Sequence, residues 1–235
     1  MRLKIKLTKN ESLIPINNQH LVNSYVHKCL GRNNKYHDSK SDYCISNLRG
    51  GKLNSDKQSL NFDNGSFIVV TSENSDFISS LLSGISTNQE FFCGMKVNGF
   101  EFISEEFSDG YNIFKTLTPI LIKEKVEEHK YKFVTIKDSD YISKLKTSII
   151  NKLSKIDSTL DFTNFSIEIN DRTTNKTKLI LVKNVKNVAS QCDIVIHSSK
   201  KIAEYIYNYG IGQSTGSGFG TVYNSKNHNL YYDKI

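Results

Sequence analysis

Apolar and polar residues alternate from Arg2 to Leu7, which puts Leu3, Ile5 and Leu7 on one face and lysines on the other. That period of two predicts a half-buried strand. Pro15 and Asn17-Asn18 then break the chain. From Gln19 to Gly31 the apolar residues Leu21, Val22, Tyr25, Val26, Cys29 and Leu30 recur at helical spacing. They predict an amphipathic helix that ends at Gly31, with His20, Asn23, Ser24 and His27 on its other side. Residues 33–57 are polar and contain a short strand candidate, Tyr43 to Leu48. Ser66 to Thr71 reads as a strand. Asp76 to Ile85 reads as a helix with Phe77, Ile78, Leu81 and Leu82 turned inward. Phe100 to Phe107 and Tyr111 to Leu117 are predicted to pair around the turn Ser108-Asp109-Gly110.

The second half repeats the order. Tyr131 to Ile136 is a strand. Asp138-Ser139-Asp140 can cap a helix that runs to about Lys155, with Tyr141, Ile142, Leu145, Ile149 and Leu153 on one stripe. Phe165 to Ile169 and Lys178 to Val182 are strands around Asp171-Arg172-Thr173-Thr174-Asn175. Strand Cys192 to His197, helix Ser199 to Tyr209 and strand Phe219 to Asn224 follow. Two βαββαβ units in tandem make an α+β chain of two ferredoxin-like domains. The expected division is residues 1–120 and 121–235, with the junction between Thr118 and His129. One continuous α+β domain is the alternative.

A length of 235 residues fits one large domain or two ordinary ones. The net charge of +7 and the isoelectric point near 9.0 favour a polyanionic partner. Runs such as Phe67-Ile68-Val69-Val70 are too short to span a bilayer, and the N-terminus lacks a signal-peptide core, so no membrane partner and a cytoplasmic location are expected. Cys29, Cys44, Cys93 and Cys192 form no Cys-x-x-Cys pair, which argues against structural zinc and a disulfide framework. They read as small buried hydrophobes.

Five of the 13 glycines lie in the eleven residues from Gly210 to Gly220, at Gly210, Gly212, Gly216, Gly218 and Gly220. Such a segment can turn its N–H groups toward phosphate. Its context, helix before and strand after, is the reverse of the usual nucleotide loops. No Lys-Ser or Lys-Thr follows, and Thr215 stands where a dinucleotide fingerprint needs its third glycine. A polymeric phosphate therefore fits better than ATP or NAD. Backbone amides of Gly212 to Gly218, with Lys28, Arg32, Arg49 and Lys52, are the binding candidates.

His20, His27 and His37 fall within 18 residues, among Lys28, Arg32, Lys35 and Lys40. Imidazole can take and give protons near neutrality. RNA carries its own nucleophile, the 2′-hydroxyl. Histidines with a lysine to neutralise the phosphorane suit that reaction without a metal or other cofactor. Metal catalysis finds little support: Glu105-Glu106 and Glu127-Glu128 are adjacent and diverge, and no His-Glu-x-x-His occurs. A Gly-x-Ser-x-Gly elbow is also absent. No aromatic motif of the single-strand-binding sheets is legible.

The pattern Gly210-Ile211-Gly212 to Gly218-Phe219-Gly220, after a helix and before a strand, resembles the signature of the CRISPR-associated endoribonucleases that cut precursor CRISPR RNA, the Cas6 family of the RAMP superfamily. Met1-Arg2-Leu3-Lys4-Ile5, Pro15-Ile16-Asn17-Asn18-Gln19 and Tyr36-His37-Asp38 are similar to family segments. So are Tyr43-Cys44-Ile45-Ser46 with Gly50-Gly51, and Thr116-Leu117-Thr118-Pro119-Ile120. The resemblance implies two tandem ferredoxin-like domains with a basic cleft between them. It implies metal-independent cutting within each repeat, leaving a 2′,3′-cyclic phosphate. It gives His37 the general base or acid role, His27 the complementary role or orientation of the phosphate, and Lys40 or Lys52 the phosphorane. Repeat RNA is the implied partner of a monomer or homodimer, with CRISPR effector subunits as further candidates. The two alternatives are a non-catalytic RAMP subunit that binds RNA and a small-molecule binder that uses the glycine segment.

Overall fold

The computed structural model of the chain describes residues 1–31, 34–36, 42–128 and 130–232. The alternating start forms β1 (Arg2–Leu7) and buries Leu3, Ile5 and Leu7. A short β2 (Ile14–Pro15) precedes α1 (Gln19–Leu30), which turns Val22, Tyr25, Val26 and Cys29 inward and ends at Gly31. Next come β3 (Tyr43–Ile45), β4 (Lys52–Leu53), β5 (Ser59–Asn61) and β6 (Ser66–Ser72). Helix α2 (Ser75–Thr87) starts at Asn74, whose side chain accepts the N–H groups of Asp76 and Phe77; β7 (Val97–Ile103) follows. The main sheet runs β3-β6-β1-β7, antiparallel throughout, while β2, β5 and β4 make a small separate sheet. Residues of α1 and α2 share one core with Leu3, Ile5, Ile68 and Val70.

The second module holds β8 (Gly110–Thr116), β9 (Ile122–Glu127), β10 (Lys130–Val134), α3 (Tyr141–Ile156) and β11 (Ser166–Ile169). It continues with β12 (Lys176–Val182), β13 (Val185–Gln191), β14 (Ile194–Ser198), α4 (Lys200–Tyr209), β15 (Val222–Asn224) and α5 (Asn229–Tyr232). Its main sheet runs β11-β14-β8-β15. Counted within each module, both sheets place their strands in the order second, third, first, fourth. The fold is two tandem ferredoxin-like units, as the sequence predicts. β9–β10 and β12–β13 are inserted two-stranded hairpins.

Three expectations need correction. The segments around Ser108-Asp109-Gly110 do not pair with each other. β7 pairs with β1, whereas β8 pairs with β14 and β15. The turn residues do bend the chain: Asn112 Nδ2 donates to Ser108 O, and Asp109 Oδ1 accepts the N–H of Lys200. They pass it from one sheet to the other. The first sheet therefore ends at β7, and a division at residue 120 would cut β8 from the sheet that it joins. The charged stretch at residues 118–129 is no plain junction, because β9 lies within it and pairs with β10. The strand β13, which the sequence does not suggest, pairs with β12, while β11 pairs with β14.

The modules meet along an apolar seam of Phe67, Val69, Ile103, Leu117, Tyr223 and Tyr231. Arg2 lies at its edge, only 1% exposed. Its guanidinium donates to Thr71 Oγ1 at 2.9 Å, to Val222 O at 2.7 Å, to Tyr231 Oη at 2.9 Å and to Tyr207 O at 2.5 Å. It stacks 3.5 Å from the Tyr207 ring centroid, and Glu105 Oε1 is 3.8 Å away. Glu105 also accepts the backbone N–H of Asn224 and the Tyr231 hydroxyl.

Candidate functional site

The glycine segment leaves α4 at Gly210, makes a tight turn at Thr215–Ser217 and enters β15. It is a wedge between the modules. Ile211 N–H donates to Gly220 O, Gly220 N–H to Pro119 O and Gln213 N–H to Leu121 O, all within the second module. Thr215 Oγ1 donates to Tyr43 O at 3.0 Å and Thr221 Oγ1 to Ile45 O at 3.3 Å, both across to β3. Glycine is required here by close approach. A Cβ on Gly210 would lie 2.7 Å from Cys44 Sγ, and one on Gly212 would lie 2.7 Å from Leu121 O. At Gly218, with φ +93°, it would lie 2.2 Å from Gln19 Cδ.

Part of the expected phosphate cradle is engaged within the protein. The amides of Gly210, Gly218 and Gly220 donate to Ile206 O, Thr215 O and Pro119 O. Gly216 is buried. Of the five glycines, Gly212 lines open space. We expect Gly218→Ala to lower stability by about 1–3 kcal/mol from the left-handed backbone alone, with the melting temperature as the check.

That open space is a cleft of about 760 Å³ between α3 and the glycine segment. Lys144, Ser148, Lys152 and Lys155 of α3 form one wall. Lys123 and Glu124 of β9 and Asp42 of the first module contribute to the rest. Glu124 pairs with Lys144. Lys152 donates to Tyr209 O and, at 3.0 Å, to Thr215 Oγ1. Burial lowers the pKa of its ammonium, against the opposing influence of Cys44 and Asp42. Lys152 escaped the sequence reading, although it interrupts the apolar stripe Leu145, Ile149, Leu153 of α3.

The residues singled out from the sequence are spread unevenly. His27 is half-buried on α1, its Nε2 3.3 Å from the Tyr43 hydroxyl. Tyr43 stacks on Phe77 in the first core and holds the glycine segment through its carbonyl. His27 thus reaches the glycine segment only through Tyr43 and is absent from the lining of the cleft. His37, Lys40 and Arg32 lie outside the described residues; Asp42, shortly after His37 and Lys40 in the chain, lines the cleft. Lys28 is exposed on α1. Arg49 Nη1 donates to Leu117 O at 3.0 Å and so ties the two modules together. Lys52 is exposed on β4, away from the cleft lining. Among the described residues, no group of three or more His, Cys, Asp or Glu side chains is placed to hold a metal ion. Nor is any described helix long and apolar enough to cross a membrane.

Comparisons with known proteins agree with this architecture. Residues 102–223, from β7 to β15, match the family model for CRISPR associated protein Cas6, C-terminal. A protein of Pyrococcus furiosus named CRISPR-associated endoribonuclease-like protein Cas6 is 26% identical over 162 residues, 66% of this chain and 66% of that relative. The solved structure of a Cas6-related protein from Pyrococcus furiosus superposes with a TM-score of 0.83 at 23% identity, covering 97% of this chain and 99% of that one. A RAMP protein described as binding different RNA substrates gives 0.83 at 23% identity, over 95% and 99% of the two chains. A Cas6 product complex gives 0.67 at 10% identity, over 95% and 98%. At these identities the superpositions establish the shared fold. The family match itself spans just over half of the sequence. The chain belongs to the Cas6 family of CRISPR-associated proteins.

Proposed function

We propose that this chain is a metal-independent endoribonuclease that cuts precursor CRISPR RNA within its repeats. The observation that carries the reading is the lysine-lined cleft between α3 and the glycine segment of a Cas6-family fold, with Asp42 on its wall and His37 five residues before it. A cation-lined cleft concentrates a polyanion and stabilises charge that develops on phosphorus.

In the proposed reaction a base takes the 2′-hydroxyl proton, and O2′ attacks the adjacent phosphorus. The P–O5′ bond breaks, and an acid protonates the departing O5′. The products are a 2′,3′-cyclic phosphate and a 5′-hydroxyl. His37 serves as base or acid. His27, anchored by Tyr43, takes the complementary role or orients the phosphate. A lysine, Lys40 or Lys52 from the family pattern, neutralises the phosphorane.

Purified protein incubated with its own repeat RNA in EDTA should cut at one position and leave those two ends. A single 2′-deoxy substitution at the scissile nucleotide should abolish cutting. Cutting that persists on the deoxy substrate would point to hydrolysis by an external nucleophile. Tight binding without cutting would favour a guide-binding RAMP subunit. The relative's name, endoribonuclease-like, keeps that second reading in view.

A further inference from the structure

We propose that Lys152 is the cation that seats a phosphodiester of the RNA strand in the cleft between α3 and the glycine segment. The proposal deepens the endoribonuclease reading and rests on it.

Lys152 lies between Ile149 and Leu153, residues that turn into the second core. A lysine in that register carries its stem along apolar surface toward the seam. There its ammonium donates to Tyr209 O, at the end of α4, and to Thr215 Oγ1 of the glycine segment. Both partners are neutral. Lys152 is half-buried, and a charge drawn even partly out of water is normally paired, because desolvation disfavours an uncompensated ion. Yet no carboxylate among the described residues pairs with Lys152. The Glu124 carboxylate in the cleft is taken by Lys144. Asp42 exerts only a longer-range pull, too weak to offset burial. Among the described residues, then, the Lys152 ammonium has neutral hydrogen-bond partners and no paired carboxylate.

An ammonium has three N–H donors, and the protein engages two. The third is available to the cleft that Lys152 lines. The cleft is of small-ligand size, within the range of roughly 300–1,000 Å³. Hydroxyls of Ser148, Ser214 and Ser217 lie on its walls as neutral donors. A phosphodiester oxygen fits this set of one fixed ammonium and several hydroxyls, with Asp42 as the carboxylate on the wall that it must sit clear of. Two protein bonds hold the ammonium in place before the ligand arrives, so little reorganisation accompanies binding. Lys52 has no such setting on exposed β4.

The test uses the full chain and its repeat RNA, with binding followed by fluorescence anisotropy over a range of salt. Lys152→Met should weaken binding roughly tenfold or more, as for a lost charge-assisted hydrogen bond. It should also reduce the slope of log K against log salt by about 0.7, one phosphate contact on a single strand. If Lys152→Met fails to fold, Ser148→Glu decides. It places a carboxylate four residues before Lys152, a stabilising helical pairing. Ser148→Glu should hold or raise the melting temperature and weaken RNA binding. Thr147→Glu adds the same charge to the cleft outside that register and should weaken binding less.

A folded Lys152→Met with wild-type affinity and slope would overturn the proposal while leaving the nuclease reading intact. Equal losses for Ser148→Glu and Thr147→Glu would do the same where Lys152→Met does not fold. Wild-type protein that binds no RNA would sink both. A melt with inorganic phosphate covers the other source of the anion: Lys152-dependent stabilisation, with RNA affinity unaffected by Lys152→Met, would assign the seat to free phosphate and overturn the strand contact.

Discussion

Arg2→Met is expected to destabilise the chain by about 3–5 kcal/mol, as when one partner of a buried ion pair is removed. For a chain of this size that corresponds to a fall in melting temperature on the order of ten degrees. Arg2 begins the first strand, but four of its hydrogen-bond partners and stacking surfaces identify its role as a joint. Val222, Tyr207 and Tyr231 belong to the second module, and Thr71 to the first. Methionine fills much of the same volume and keeps some apolar contact. It leaves Glu105, wholly buried, without its cation, and leaves two carbonyls without donors. The cost arises from those orphaned groups more than from the lost attraction. Arg2→Met combined with Glu105→Leu should therefore recover part of the loss, because the uncompensated carboxylate goes too. Chemical denaturation of the two single variants and the double variant reads this as a coupling energy. Simple additivity, or a fall of less than a degree for Arg2→Met, would show that the joint is carried by the apolar seam alone.

The joint also marks where sequence reading stopped. The period-two start and the stripes of α1, α2, α3 and α4 were legible because each element buries one face of its own. Leu3, Ile5 and Leu7 are buried, as are Phe77, Ile78 and Leu81. Pairing was less legible. β8 looks like the partner of β7 because a good turn sequence lies between them, yet nothing local says that a turn hands the chain to another sheet. β13, Val-Lys-Asn-Val-Ala-Ser-Gln, has no clean alternation, so the β12–β13 hairpin had no signature. Arg2 reads as one more basic residue of a basic strand. Only the tertiary approach of Tyr207, Tyr231 and Glu105 converts it into a buried one.

The glycine cluster is plain in the sequence, but its packing partners are not. Glycine permits close approach, and the sequence does not say by what. The visitor is protein: Gln19, Cys44, Leu121 O and Ile211 O surround these positions. Lys152 carried a weak signal, a charge inside an apolar stripe, that was open to reading. Tyr43 carried none, because its link to His27 depends on how β3 lies against α1.

His37→Ala is expected to slow single-turnover cleavage of repeat RNA by about 10²–10⁴, the usual worth of a proton-transfer group. His27→Ala should fall in the same range if it takes the complementary proton. The pH profile separates the two roles. A base must be deprotonated to act, so the rate rises with pH through its pKa. An acid must be protonated, so the rate falls above its pKa. Wild type should show both limbs. Removing the base flattens the rising limb, and removing the acid flattens the falling one. His27 needs one more control, because its ring lies against Tyr43 at the edge of the first core, with Nε2 3.3 Å from the hydroxyl. Loss of that contact could displace β3 and, through the Tyr43 carbonyl and Thr215, the glycine segment. Tyr43→Phe removes the contact and keeps the imidazole. If His27 transfers a proton, Tyr43→Phe should retain both limbs, whereas His27→Ala loses one. If His27 only braces β3, both variants should slow cleavage by a similar factor with the bell shape intact. His37→Ala and His27→Ala each cutting at the wild-type rate would remove both residues from the chemistry and move the search to the lysines of the cleft.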